Sequence, residues 1–150
     1  MSQVIRDIPD AIRQVEIGRS ATYTREIDGH LISLYAEVSG DYHRLHMDAE
    51  YALSTPWKKR IAHGSMMTGF MSTASTILSE EIEAETGRAN VSLGYDRMRF
   101  VAPVFDGDTI TTRIAVSELL PERSRILCET TCTNQNGETV AVAVHIMRFI

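Results

Sequence analysis

Cysteine is scarce, with two in 150 residues, and so are proline, with four, and tryptophan, with one. That scarcity excludes a disulfide-stapled scaffold. Cys128 and Cys132 lie four apart in a strand-like stretch, about 13 Å at the usual strand rise. A disulfide needs Cα atoms within roughly 7 Å, so the two are read as reduced packing residues. No second ligand pair stands at a zinc spacing, and no metal is expected. Long apolar runs are missing too: nothing approaches the ~20 residues of a membrane span. The N-terminal MSQVIRDIPDAIRQ carries charges where a signal peptide has an apolar stretch, so a cytoplasmic protein with no membrane partner is expected. Fifteen basic against twenty acidic residues leave a net charge of −5, which argues against nucleic acid as a partner.

What is present is enough apolar material, 43% of residues, to exclude disorder and fill a core. A chain this size buries about 68–70% of its unfolded surface. No repeat, low-complexity tract or linker divides it, so one domain over residues 1–150 is expected. Residues 18–27 read as a first strand. Asp28 is a plausible N-cap for a helix in which Leu31, Leu34, Tyr35 and Val38 share a face and Gly40 terminates. Asp48 caps another short helix over 49–54, stopped by Thr55-Pro56. From Ile61 to about Glu81 a long helix carries Met66, Met67, Phe70, Met71, Ala74, Ile77 and Leu78 as an apolar stripe. Its other residues are mostly small, which fits a central, largely buried helix.

After Gly87 the period changes to two. Val91, Leu93 and Tyr95 alternate, then Met98 and Phe100 continue on shifted parity, which predicts a β-bulge near Asp96–Arg97. Ile110 to Val116 and Ile126 to Cys132 alternate likewise. Asn136-Gly137 signals a hairpin, and Val140, Val142, Val144 and Ile146 complete the last strand. The fold class is α+β: an antiparallel sheet wrapped around one long helix.

Chemistry concentrates between residues 40 and 65. Asp41 and His46 stand five apart, a spacing that fits neither a helix face nor a strand face, so the two meet only on a bent loop. A carboxylate and an imidazole there can orient a water, remove one proton and return another. The bland alternative has Asp41 capping a turn and His46 covering a helix end. At the start of the long helix, Ile61-Ala62-His63-Gly64-Ser65 brings unpaired amides together, and Gly64 lets a ligand approach the backbone as in an oxyanion hole. Its alternative is an ordinary helix start with Ser65 as cap.

VSGDYHRLHMDAEYA, then RIAHGSMMTGF, then RFVAPVFDGDTI, in that order and spacing, resemble the R-specific enoyl-CoA hydratases, the MaoC-like dehydratases of hotdog fold. The resemblance runs from about Leu31 to Ile114. It implies that Asp41 and His46 form a dyad activating a water that adds to C3 of a trans-2-enoyl thioester, giving a (3R)-hydroxyacyl product. It implies that the Gly64 amide binds the thioester oxygen and that Ser65 matches a serine position near the dyad in some relatives. Further implications are an acyl-CoA or acyl-carrier-protein thioester as substrate, no cofactor, and a homodimer or larger homo-oligomer with the acyl pocket at the subunit interface. One departure stands out: the family's Asn-Pro inside the dyad loop is His43-Arg44 here. His43 can still donate a hydrogen bond within the loop, and Arg44 is a candidate partner for a second acyl carboxylate or the CoA phosphates.

Other residues have two readings each. Lys58-Lys59-Arg60 is a solvated basic run or a phosphate site, and Trp57 stacks on adenine or simply packs. His63 is expected to order the turn beside the substrate; His30 and His145 are expected to be structural. Tyr95, Arg97 and Arg99 are candidates for a pocket edge. Two other activities stay open on these residues: a hotdog thioesterase, and a non-catalytic thioester-binding or partner subunit.

Overall fold

The computed structural model describes residues 7–150. A short helix the sequence pattern did not announce, α1 (Ile8–Arg13), is capped by the Asp7 side chain. After β1 (Ser20–Glu26), the helix α2 (Gly29–Ser39) opens where Asp28 accepts the Leu31 amide at 2.7 Å, and closes at Gly40, whose φ of +76° suits a residue without a side chain. Two short helices follow, α3 (Arg44–Met47) and α4 (Ala49–Leu53), the second capped by Asp48 as expected. Then come the long helix α5 (Met66–Thr86) and four strands, β2 (Asn90–Phe100), β3 (Thr109–Leu120), β4 (Arg125–Thr133) and β5 (Thr139–Phe149). All pairings are antiparallel, in the order β1-β3-β4-β5-β2. The expected architecture, one long helix against an antiparallel sheet, is therefore what the chain forms.

Helix α5 lays Met67, Phe70, Met71, Ala74, Leu78 and Ile82 onto the sheet. Each fully buried Met, Leu or Ile contributes about 1.5–3 kcal/mol. Two details correct the sequence reading. The helix begins at Met66 rather than Ile61, because the Ala62 amide donates to the Val104 carbonyl at 2.7 Å and Ile61 bridges Phe105, which holds residues 61–62 extended. It is also buried on one face only: Gly69, Ser72, Thr73 and Thr76 are exposed in this single chain. In α2 the buried residues are Ile32 and Ala36, with Leu31 and Tyr35 against the core, while Leu34 and Val38 face outward.

The predicted bulge is present. Between Asp96 and Arg99 strand β2 spends three residues where β5 spends two, and Arg97 takes a φ of +52°. This shift lets both Tyr95 and Met98 pack on the core. Arg97 and Arg99 are exposed, and Tyr95 stacks on His145, so none of the three edges the site cavity described below. On β5 the residues facing the helix are Ala141, Ala143, His145, Met147 and Phe149; Val142, Val144 and Ile146 lie on the opposite face. Cys128 and Cys132 are free and buried on one face of β4, and burial pushes the Cys128 thiol up to about 12.

Candidate active site

The loop after Gly40 is built from short side-chain to backbone bonds. Ser39 Oγ accepts the Asp41 amide at 3.2 Å, Asp41 Oδ1 accepts the His43 amide at 3.1 Å, and His43 Nδ1 accepts the Leu45 amide at 3.2 Å. His43 thus keeps the loop bent in the absence of Asn-Pro, as an acceptor at the start of α3 rather than the donor expected from sequence. Arg44 is not among the residues lining the cavity described below: it pairs with Asp48 at 3.2 Å and lies 4.4 Å over the Tyr51 ring.

His46, on α3, is half-buried. Its Nδ1 lies 2.8 Å from the Ile61 carbonyl, which can only accept, so Nδ1 carries the proton and Nε2 holds a lone pair in the neutral ring. Burial lowers the His46 pKa below its ordinary value, with the neighbouring His63 and His43 acting in the same direction; the Ile61 carbonyl and Asp41 oppose them. The ring is therefore neutral at pH 7, with a free base at Nε2.

His63 is buried behind this pair. Its Nε2–H donates to the Asp41 backbone carbonyl at 2.8 Å, and its ring stacks on His46 with centroids 3.8 Å apart. Tyr35 closes its other side at 5.0 Å. It packs against the Asp41–His46 pair and is not among the residues lining the cavity described below. A carboxylate oxygen of Asp41 and one ring nitrogen each of His46 and His63 lie within 4.8 Å of one another. That separation suits a water shared between carboxylate and imidazole. It suits a metal poorly, because stacked rings do not aim two in-plane lone pairs at one point.

A cavity of about 310 Å³ opens beside His46. Gly64, Met67 and Trp57 line it together with 100–104 and Val140. A side chain at Gly64 would come within 2.8 Å of the Phe100 ring, so this approach requires glycine. Among the described residues, the amides of Gly64 and Ser65 donate to no group, while those of Met66 and Met67 already bond His63 and Gly64 carbonyls. The Ser65 backbone is helical and its side chain makes no cap bond; Ser65 is exposed outside the cavity. Asp41 stands exposed beside His46, also outside the cavity lining. The walls contributed by 100–104, Met67 and Val140 were not read from sequence. Their signal was there only as part of RFVAPVFDGD, whose partner at Gly64 lies far off in the chain.

Residues 13–140 match the model of the MaoC like domain family. The chain is 34% identical over 119 residues to the (R)-specific enoyl-CoA hydratase of Rhodospirillum rubrum, covering 79% of this chain and 78% of that one. It is 31% identical over the same length to the 3-hydroxybutyryl-CoA dehydratase of Methylorubrum extorquens, covering 79% and 71%. The solved structure of R-hydratase PhaJ1 from Pseudomonas aeruginosa superposes with a TM-score of 0.75 at 34% identity, over 91% of this chain and 83% of that one. The chain belongs to the MaoC-like dehydratase family, and its fold is the hotdog.

Proposed function

We propose that this protein is an (R)-specific enoyl-CoA hydratase, a lyase that adds water to trans-2-enoyl-CoA or removes it from the (3R)-hydroxyacyl thioester. The observation that carries the reading is the meeting of Gly64 and His46 at one cavity, with the Asp41 carboxylate beside His46. Asp41 and His46 Nε2 hold a water between them. Its oxygen bonds to C3 as His46 Nε2 takes its proton, and the double-bond electrons move onto the thioester oxygen. The Gly64 amide stabilises that oxygen. The enolate then collapses, C2 receives the proton held on the dyad, and H and OH have been added across the double bond. No cofactor takes part, since the thioester itself activates C3.

A homodimer in the cytoplasm belongs to the same proposal. Val91 and Leu93 on the edge strand β2, and Leu34 and Val38 on α2, are apolar and exposed in one chain, which favours a second copy. Among the described residues no helix is long and apolar enough to cross a membrane. The test follows loss of enoyl absorbance with crotonyl-CoA and longer or carboxylated enoyl-CoAs. Wild type is expected to turn over, and Asp41→Asn and His46→Gln are each expected to lose roughly 10²–10⁴-fold. Thiol release instead would indicate a thioesterase, and binding without turnover a partner subunit.

A further inference from the structure

A second cavity, about 470 Å³, is walled by Lys58, Lys59 and Arg60. The two adjoin in the chain: Trp57 and Ile61 line the first, and the three cations between them line the second. In a chain of net charge −5 this is a local reversal of sign. Glu50 and Asp106 also face the cleft. Arg60 is engaged by Asp106 and by α3, standing 3.9 Å from Asp106 and 3.5 Å from the His46 carbonyl.

The two lysines are held differently. Lys58 has a left-handed backbone, φ +58°, and its Nζ donates to the Leu53 carbonyl at 3.1 Å. Lys59 Nζ sits 4.0 Å over the Phe105 ring. Among the described residues neither ammonium is paired with a carboxylate. Each has further N–H donors for an anion.

We infer that this cleft binds the phosphorylated nucleotide end of CoA, with Lys58 and Lys59 as its phosphate ligands. The inference rests on reading the first cavity as the thioester site. With the thioester carbonyl at Gly64, the carrier arm leaves through the mouth of that cavity, and in CoA the arm ends in a pyrophosphate and a 3′-phosphate. Ammonium groups meet phosphate oxygens through charge-assisted hydrogen bonds. A concave cleft fits a small ligand group, whereas a carrier protein needs a broad face.

Calorimetric titration of the full chain with free CoA and with pantetheine, which lacks the nucleotide and its phosphates, tests this without requiring turnover. Wild type is expected to bind CoA more tightly. Lys58→Gln with Lys59→Gln should weaken CoA by roughly five- to tenfold, reduce the salt dependence, and leave pantetheine binding where it was. Should the double variant melt early, Lys59→Gln alone keeps the Lys58 bond to Leu53 and should give part of the same loss. Equal binding of CoA and pantetheine by wild type, or CoA binding unaltered in the variants, would overturn the assignment. So would a loss confined to a crotonyl-acyl-carrier protein, which would give the cleft to a protein partner. Failure of the hydratase reading shows separately, as an enoyl absorbance that never falls.

Discussion

His63 and His145 are buried alike, at 1% and 0% exposure, and each has an Nδ1 without a hydrogen-bond partner among the described residues. Their surroundings separate them. His145 sits on the inner face of β5 with Nε2 2.6 Å from Ser92 Oγ and its ring stacked on Tyr95 at 4.3 Å. Burial takes its pKa down to about 4, and it does not line the cavity beside His46. His63 instead bonds the backbone of a loop and stacks on an imidazole that opens onto a cavity. A perturbed histidine is not by itself a site. Access, and carbonyls that fix which nitrogen is basic, make one.

The comparison breaks most severely at Gly64. Gly64→Ala brings a methyl against Phe100 and displaces the amide, so kcat/KM on crotonyl-CoA is expected to fall by roughly 10²–10³. Phe100 is half exposed, so melting should move little by comparison. Full activity in that variant would remove the Gly64 amide from the mechanism.

His145 sets the next effect, on stability. A histidine whose folded pKa is depressed stabilises the fold fully above its unfolded value near 6.5, and that contribution is lost as pH falls toward the folded value. Between those limits the loss is about 3 kcal/mol. Urea unfolding across pH 5 to 6.5 should therefore slope down towards acid, and His145→Gln should flatten the slope.

His63 should cost less, and in rate. His63→Gln loosens the Asp41 carbonyl and is expected to lower kcat by about tenfold. It also removes one influence that lowers the His46 pKa, so the acid limb of the rate profile should move upward. A purely structural role would leave that limb in place. Arg44→Ala should do least: its pair with Asp48 is exposed, and the urea unfolding midpoint should barely move.

Much of this could be read locally, because caps and turns are local chemistry. Asp28, Gly40, Asp48, the bulge at Asp96–Arg97 and the Asn136-Gly137 hairpin each act within a few residues. Parity on β5 was ambiguous because both faces are apolar, and small alanines take the side where α5 needs room. The beginning of α5 was set by Val104 and Phe105, some forty residues on, which no helical period reveals. The pairing of Asp41 with His46 was expected on a bent loop and was favoured over a turn and a cap by resemblance to a family; His46 stands on the short helix α3. What gives His46 its basic nitrogen, the Ile61 carbonyl, comes from fifteen residues away.

The most direct test is the pH dependence of kcat/KM for crotonyl-CoA hydration, in wild type and in His46→Gln. With Nε2 free and the ring buried, an acid limb with an apparent pKa below 6.5 is predicted, and His46→Gln should lose both that limb and roughly 10²-fold or more of the rate. A limb that survives unchanged in His46→Gln would contradict the account.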